Sequence, residues 1–396
     1  MTGGVVVVGA SLAGLRVSEA LRRLGYDGPL RLVGEEEHLP YDRPPLSKQV
    51  LTGDWEVERV ALTSAEALAE ARIETLLGSR AVAATDSTVT LADDRELNYD
   101  HLVVATGASA RRWPGAASGG RVHPLRTLDD SVRLRAVLET GGRVVVVGGG
   151  FIGLEVAAAA RHHGREVTVV EVAAEPLAPV LGVEIGGFFR RLHEAEGVRV
   201  RTGTAITRLE ELEQLVTVHL ADGTELHADH VVVGIGAAPN NAWLVGLGLA
   251  DGGGVPCDHQ GRALDNVWAV GDVAAWHEPA FGDRARHEHW TSAVDQAAVT
   301  AAAILGLEPS RPHEPPYFWS TQFDVNFQLV GRPDLATAVT VLERGETDGV
   351  PTDRGTVFGF HRADRLVAVA TFHSPRRFLK LRRELQLELA AAIANA

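Results

Sequence analysis

The stretch RVVVVGGGFIGLEVAAAARHHGREVTVVE, residues 143–171, decides the fold. An apolar run ends in glycines, apolar residues at helical spacing follow, and a second apolar run ends in an acid. This order predicts a strand, a glycine turn, a helix and a parallel strand. The same pattern occurs at residues 4–25, GVVVVGASLAGLRVSEALRRLG, followed by LRLVGEE at 30–36. The chain therefore contains a duplicated fold unit.

The two glycine turns, GASLAG at 9–14 and GGGFIG at 148–153, predict two dinucleotide sites. In such turns the glycines permit the bend, the approach of a pyrophosphate and close helix packing, and the helix N-terminus attracts phosphate. Ser11 replaces the middle glycine of the first turn and is small enough to keep this approach open. Glu35 and Glu171 end the following strands, where a carboxylate binds adenosine ribose hydroxyls. Two glycine turns without ligands are the alternative.

The order of the motifs predicts which dinucleotide each unit holds. ATG at 105–107 and the pair Gly271 and Asp272 flank the second unit, so the interrupted first unit is expected to bind FAD tightly. Asp272 is placed to bind a ribityl or pyrophosphate group. The second unit is expected to bind NADH rather than NADPH, because Glu171 would repel a 2′-phosphate and Glu175 follows it instead of an arginine.

The length of 396 residues predicts two or three domains. We expect an α/β protein with two Rossmann-like dinucleotide-binding domains, as in the glutathione-reductase-like FAD/NAD fold, and a C-terminal α+β domain. The FAD-binding domain would span residues 1–110 and 237–311, and the NADH-binding domain residues 111–236. Proline-rich PHEPPYFW, residues 312–319, would lead into the last domain, residues 312–396.

Composition narrows the class of protein. The formal charge of −14 argues against nucleic acid or an anionic membrane as a partner. No apolar run approaches the roughly 20 residues that cross a bilayer, so a soluble cytoplasmic protein is expected. The single cysteine, Cys257, excludes an internal disulfide, a CxxC pair and a cysteine-held iron–sulfur cluster. His287 and His289 lack further ligands at zinc spacing, so no metal site is expected and redox chemistry must come from a bound cofactor.

The chain resembles the FAD-dependent ferredoxin reductases of bacterial oxygenase systems over nearly its whole length. The resemblance rests on the glycine-turn segments and on RLVGEEEHLPYDRPPLSK, YDHLVVATGA, LRTLDD, GIGAAPN, VWAVGDVA, EHW and PYFWSTQFDVNFQLVG. It implies hydride transfer from NADH to FAD, then single-electron transfer to a small two-iron ferredoxin that feeds a monooxygenase or dioxygenase. It also implies a monomer or homodimer.

The resemblance implies catalytic roles for Lys48, Glu155, Trp290 and Trp319. Lys48 would lie near the flavin ring, where a cation stabilises negative charge, and Glu155 near the nicotinamide. A surface lysine, a helix-surface carboxylate and core tryptophans are the alternatives. The predicted cofactor-binding residues are Gly9, Ser11, Leu12, Ala13, Gly14, Glu35, Arg43, Pro45, Lys48, Val82, Ala105, Thr106, Gly107, Arg126, Gly148, Gly149, Gly150, Phe151, Ile152, Gly153, Glu155, Glu171, Gly234, Ile235, Gly236, Gly271, Asp272, Glu288, His289 and Trp290.

Two positions depart from the family pattern. Thr321 stands where aspartate is common, which could alter the flavin edge or the docking surface, and Glu175 stands where an arginine is frequent. An acidic ferredoxin would need a local basic face. The candidates are Arg376, Arg377, Lys380, Arg382 and Arg383, with Arg284 and Arg286, and a solvated helix face is the alternative.

Three other functions remain open from the sequence. A disulfide or CoA-disulfide reductase shares the fold, but the cysteine pair near the first helix is missing. An NADH oxidase or a nitrite reductase subunit differs only in the electron acceptor. An NADH-controlled redox switch, like apoptosis-inducing factor, would bind the same cofactors and turn over slowly.

Overall fold

The computed structural model describes residues 3–116, 119–308, 314–347 and 350–394. The first repeat unit forms the predicted strand, helix and strand, and the four valines of its first strand are all buried. The elements of this part are β1 (Val5–Val8), α1 (Leu12–Arg23), β2 (Leu30–Val33), α2 (Gln49–Thr52), α3 (Ala65–Glu70), β3 (Glu74–Leu76), β4 (Ala81–Ala84), β5 (Thr88–Leu91), β6 (Glu96–Asn98), β7 (His101–Val104), β8 (Ala108–Ala110) and β9 (Val122–Pro124).

The second repeat unit forms a five-stranded parallel sheet in the order β12-β11-β10-β16-β9. Its central strands are nearly all valine, as expected where both faces of a sheet are covered. Its elements are α4 (Leu128–Thr140), β10 (Arg143–Val147), α5 (Phe151–His162), β11 (Glu166–Val170), α6 (Ala178–Leu181), α7 (Val183–Ala195), β12 (Arg199–Arg201), β13 (Ile206–Glu211), β14 (Val216–Leu220), β15 (Glu225–Ala228), β16 (His230–Val233) and β17 (Ala237–Pro239).

The chain then returns to the first sheet. The elements here are β18 (Val255–Cys257), β19 (Arg262–Leu264), β20 (Val267–Ala269), β21 (Ala274–Glu278), β22 (Asp283–Arg286) and α8 (Trp290–Ile304). Strand β20 pairs in parallel with β7 and gives a six-stranded sheet in the order β19-β20-β7-β1-β2-β3. A strand more than 160 residues downstream thus completes the sheet that holds the first glycine turn.

The last part is a five-stranded antiparallel sheet in the order β23-β24-β27-β26-β25, covered by a long helix. Its elements are β23 (Tyr317–Gln322), β24 (Val325–Gly331), β25 (Ala338–Thr347), β26 (Val350–Arg362), β27 (Arg365–Phe372) and α9 (Pro375–Ala394). Helix α9 buries Phe378, Leu381, Leu385 and Leu389 at helical spacing against this sheet. The predicted α/β fold with a C-terminal α+β part is confirmed. The predicted boundary between residues 311 and 312 lies outside the described residues.

The packing brings three parts of the chain to one place. Both glycine turns follow the carboxyl ends of the central strands, β1 and β10, where open α/β sheets bind ligands. Helix α5 begins within the second glycine turn and packs on β23 of the C-terminal sheet. The ring centroids of Phe151 and Phe318 are 4.4 Å apart. In the part of the chain that is described, no helix is long and apolar enough to span a membrane.

Candidate active site

At two positions of the first glycine turn, Gly9 and Gly14, there is no room for a side chain. Gly9 has φ +121°, and a Cβ there would lie 2.0 Å from the carbonyl oxygen of Ala105. A Cβ on Gly14 would lie 2.0 Å from the carbonyl oxygen of Gly9, so glycine is required where α1 crosses the turn. Ser11 is the N-cap residue of α1, and its side chain makes no capping bond to the helix. The turn thus leaves backbone N–H groups of the helix N-terminus without a side-chain cap.

The second glycine turn repeats this geometry. Gly148 has φ +98°, and a Cβ on Gly153 would lie 2.2 Å from the carbonyl oxygen of Gly148. Gly150, the N-cap residue of α5, would meet nothing within 4 Å, so open space lies in front of this helix. A helix N-terminus facing open space is the feature that a pyrophosphate requires.

The two acids predicted to bind ribose differ in their surroundings. The Glu171 carboxylate accepts hydrogen bonds from the backbone N–H of Gly149 at 2.6 Å and of Ala173 at 2.8 Å, so it is fixed at its turn. The Glu35 side chain is 68% exposed and lies 3.7 Å from the guanidinium of Arg80. Only the second acid is therefore preordered.

An arginine that the sequence pattern did not indicate pairs with Glu175, the acid that follows Glu171 in the loop after β11. Arg190 of α7 donates to both carboxylate oxygens of Glu175, at 2.8 and 3.1 Å. The arginine therefore fixes the carboxylate of Glu175, which lies in the loop after β11. The arginine serves an acid rather than standing free for a phosphate.

Two arginines and an aspartate meet beyond the first turn. Arg126 donates to the Asp272 carboxylate at 2.6 Å and to the carbonyl of Ala108 at 2.8 Å. Arg43 donates to the carbonyl of Arg126 at 2.6 Å and to the Glu36 carboxylate at 2.8 Å. Hydrogen bonds therefore link three predicted residues that are far apart in sequence, Arg43, Arg126 and Asp272. The charge of Arg43 is neutralised by Glu36, which was not predicted.

Lys48 and Glu155 form an ion pair between the two repeat units. The Nζ of Lys48 lies 2.7 Å from Oε2 of Glu155, and the side chains are 17% and 3% exposed. Ser47 donates to the same oxygen at 2.5 Å, and Ser320 of β23 donates to Oε1 at 2.6 Å. Neither residue is a surface side chain, so both alternatives named from the sequence are wrong.

A row of aromatic side chains leads from Trp290 to the C-terminal helix. The rings of Trp290 and Trp319 lie 6.2 Å apart edge-on, and Trp319 stacks on Tyr317 at 5.8 Å. Tyr317 in turn contacts Phe378 of α9 at 5.4 Å. The Nε1 of Trp290 donates to the Asp42 carboxylate at 2.7 Å, which fixes the plane of the indole. Both tryptophans are partly exposed, so they are not closed in a core.

Comparison with known proteins agrees with this geometry. Residues 3–297 match the family described as pyridine nucleotide-disulphide oxidoreductase, and residues 317–395 match the reductase C-terminal family. The chain is 38% identical over 384 residues to the ferredoxin–NAD(+) reductase component of the p-cumate 2,3-dioxygenase system of Pseudomonas putida, covering 96% of this chain and 92% of the relative. It is 36% identical to putidaredoxin reductase of Pseudomonas putida, covering 94% and 89%. The crystal structure of the covalent putidaredoxin reductase–putidaredoxin complex superposes with a TM-score of 0.91 at 33% identity, covering 100% and 99%.

The chain belongs to the ferredoxin–NAD(+) reductase family of oxygenase systems. Membership implies that this reductase uses a flavin and NAD(H). The residues present fit two dinucleotides, because in each turn two glycines leave no room for a Cβ and the N-terminus of the following helix has no side-chain cap. Three apolar side chains that were predicted to bind the cofactors are exposed in this structure: Val82 at 45%, Ile152 at 46% and Ile235 at 38%.

Two histidines lie between strand β22 and helix α8, and one of them was predicted to bind a cofactor. The Nε2 of His287 donates to the Glu278 carboxylate at 2.8 Å, and the ring stacks on His289 with 5.4 Å between centroids. Burial, and then the nearby His287, lower the pKa of His289 to about 3, so its ring is neutral. Its Nδ1 is buried and has no hydrogen-bond partner, which suits a ligand-lining position. No cluster of three metal-binding side chains occurs among the residues that the structure describes.

Other predicted positions of the reductase are occupied by protein contacts. Glu288 pairs with Arg286 at 2.6 Å, and Arg286 also donates to the carbonyl of Asp272. Arg286 is therefore held by Glu288 and by the backbone of Asp272. The hydroxyl of Thr106 donates to the carbonyl of Asn240, which ties the ATG strand end to the segment after β17.

Sequence reasoning missed several residues that hold the site. Asp42, Ser47, Ser320, Gln322 and His193 all lie in its hydrogen-bond network. The signal for Ser47 and Ser320 was their place inside two quoted motifs, RPPLSK and FWSTQ. Nothing in the sequence indicated His193 as a site residue, because a single histidine on an amphipathic helix matches no motif.

Proposed function

We propose that this chain carries hydride from NADH to a tightly bound FAD and then passes single electrons to a two-iron ferredoxin, which feeds a monooxygenase or dioxygenase. The relatives named as ferredoxin reductases of oxygenase systems support the acceptor. The observation that carries the first half is the contact of Lys48 with Glu155. It joins the first unit, expected to hold FAD, to the second unit, expected to hold NADH. A bound flavin supplies the change from two-electron to one-electron transfer.

The residues of the first unit bind and orient the flavin in this proposal. The backbone at Gly9 and Gly14 accepts the pyrophosphate, and the Arg126–Asp272 pair anchors the middle of the cofactor. Lys48 supplies positive charge beside the ring, where hydride transfer adds negative charge. Glu155 holds the lysine in place from the nicotinamide side.

The second unit would select NADH. Glu171 is fixed by two backbone N–H groups, so its carboxylate can only accept hydrogen bonds from ribose hydroxyls. Arg190 of α7 is not free to bind a phosphate, because its guanidinium is paired in a fork with the Glu175 carboxylate. The two carboxylates would repel a 2′-phosphate.

We also propose the domain limits named above, 1–110 with 237–311, 111–236 and 312–396, and a cytoplasmic location. The parallel pairing of β20 with β7 supports the interrupted first domain. The use of NAD(H) as electron donor supports the location.

The electrons would leave through the aromatic contacts toward α9. Trp290, Trp319 and Tyr317 lead from the Lys48 region to Phe378 on the buried side of that helix. On its other side Arg376 and Arg383 are exposed, with Leu379 and Leu387 each 64% exposed. An acidic ferredoxin would meet charge and apolar surface there.

The test is NADH-driven reduction of cytochrome c by the FAD-loaded protein, with and without candidate two-iron ferredoxins. Fast reduction that requires one ferredoxin supports the proposal. Equal rates with every ferredoxin, together with rapid oxygen or quinone reduction, would favour an NADH oxidase. Slow turnover with a change of oligomer size on NADH addition would favour a redox switch. Cys257 is buried and alone, which leaves no dithiol for disulfide reduction.

The docking face has its own test. Arg383→Glu should raise the KM for the ferredoxin and weaken its salt dependence, while ferricyanide reduction stays unchanged. Arg199→Glu, an exposed arginine of β12, is the control that should change neither. Equal ferredoxin KM values for both variants would place the docking face elsewhere.

A further inference from the structure

A chain of buried hydrogen bonds runs away from the Lys48–Glu155 pair into the protein. Ser320 donates to Oε1 of Glu155 at 2.6 Å, and the amide nitrogen of Gln322 donates to the Ser320 hydroxyl at 3.2 Å. The amide oxygen of Gln322 lies 2.8 Å from Nε2 of His193 on α7. Ser320 and Gln322 are 1% exposed, and His193 is fully buried. No water is needed to explain any of these contacts.

The direction of every bond in this chain is fixed. Burial lowers the pKa of His193 to about 4, so the ring is neutral and carries one N–H. Its Nδ1 is buried without a partner, so the proton belongs on Nε2, which faces the Gln322 oxygen. The Gln322 nitrogen must then face Ser320, whose hydroxyl is left to donate to Glu155. Each donor points toward the carboxylate, and aligned donors strengthen one another.

The chain also joins three parts of the fold. Lys48 comes from the first unit, Glu155 and His193 from the second, and Ser320 and Gln322 from the C-terminal sheet. Ser47 and Ser320 bind Glu155 across 108 and 165 residues of the chain. His193 binds Gln322 across 129 residues. A carboxylate held from both sides keeps one orientation, and so does the ammonium paired with it.

We propose that Gln322 and His193 are positioning residues, which act through Ser320 to fix the Glu155 carboxylate and thereby the Lys48 ammonium. This rests on the proposed function, in which Lys48 supplies charge beside the flavin. Without the donor chain, the carboxylate draws more of its stabilisation from Lys48. The ammonium then gives less positive potential to the flavin side, and reduction of the flavin becomes less favourable.

The experiment compares Gln322→Met, His193→Phe and the double variant in the FAD-loaded full-length protein. Anaerobic stopped-flow mixing with NADH gives the saturating rate of flavin bleaching and the apparent Kd. Equilibration with a reference dye gives the flavin midpoint potential. We expect Gln322→Met to lower the rate about tenfold with less than a twofold change in Kd. A tenfold change in the flavin equilibrium would appear as a potential about 30 mV more negative.

The pattern among variants separates positioning from mere stability. His193→Gln keeps an N–H donor and should restore most of the rate and potential lost in His193→Phe. The double variant should have the same rate and potential as Gln322→Met, because both substitutions interrupt the same chain of hydrogen bonds. His101→Phe removes another histidine with an unpaired buried Nδ1, at the amino end of β7, and should change neither quantity.

Two results would overturn the proposal. One is a wild-type potential and rate in folded, FAD-loaded Gln322→Met. The other is an equal loss in His193→Gln and His193→Phe, which would mean that the donor has no role. The half-reaction needs no ferredoxin, so failure of the wild type to reduce any ferredoxin would refute the proposed acceptor alone.

Discussion

Arg332 is predicted to be the most costly cation to remove outside the active site. Its side chain is 4% exposed, and its guanidinium makes five hydrogen bonds to the carboxylates of Glu278, Asp283 and Asp334. Glu278, on β21, also contacts His287. The arginine thus ties the C-terminal sheet to the β21–β22 hairpin.

The size of the effect follows from which partners are buried. Removing one member of a buried ion pair costs about 3–5 kcal/mol, whereas exposed pairs contribute about 1 kcal/mol or less. Glu278 is 13% exposed, but Asp283 and Asp334 are 39% and 55% exposed and can be hydrated when the arginine is lost. We therefore expect Arg332→Met to lower the free energy of unfolding by about 3 kcal/mol. For a unit of about 150–250 residues this is a fall of about 6–12 °C in Tm.

The assay is thermal unfolding followed by flavin fluorescence and by circular dichroism. Arg199→Met is the matched control, because its pair with Glu166 at 2.6 Å is 69% and 51% exposed. Burial would raise the pKa of Glu278, but the hydrogen bond from His287 and the charge of Arg332 outweigh it and hold the pKa below its usual value. The stability that Glu278 contributes is present above its unfolded pKa and is lost as the pH falls through the folded value. The gap between wild type and Arg332→Met should therefore narrow below about pH 4.

A loss within 1 kcal/mol of that of Arg199→Met would refute this reasoning. So would a gap that stays constant from pH 7 to pH 3.5. Either result would show that the carboxylates find equal hydration without the arginine.

Three further predictions follow from the cofactor turns and the buried groups. Gly14→Ala should yield a colourless protein, whereas Gly153→Ala should stay yellow but lose bleaching by NADH, as absorbance spectra would show. Cys257, whose pKa burial raises to about 12, should resist iodoacetamide until the protein is unfolded in urea, as measured by mass spectrometry. Burial lowers the pKa of His123 and of His193 to about 4, so the unfolded chain binds protons that the folded chain does not, and Tm should fall from pH 6.5 to pH 4. His123→Phe should make that fall shallower.

The repeat units were predictable because their determinants are local. Four consecutive valines, a glycine turn and helical spacing lie within about 30 residues, and each follows from sterics or burial. The α+β class of the last domain was also predictable, but residues 317–319, expected in the segment that leads into it, belong to β23. The ribose acids show the limit of this reasoning, because Glu35 and Glu171 occupy equivalent motif positions. Only the structure shows that one is fixed by backbone N–H groups and the other is exposed.

The supports of the active site could not be predicted from patterns. Glu155 meets Ser320 across 165 residues, and His193 meets Gln322 across 129. Serine, glutamine and histidine occur throughout the chain, so their types carry no signal until the fold sets their neighbours. Lys48 could be singled out from the sequence, because lysine occurs only at positions 48 and 380.

In the proposed function, strand β23 serves both hydride entry and electron exit. Side chains alternate along a strand, so Phe318, Ser320 and Gln322 point one way and Tyr317, Trp319 and Thr321 the other. The first set packs on Phe151 and holds Glu155, and the second carries the aromatic contacts toward α9. Thr321 is exposed and belongs to the second set. The replacement of the family's aspartate by threonine therefore changes the surface beside the exit and leaves the Glu155 network intact.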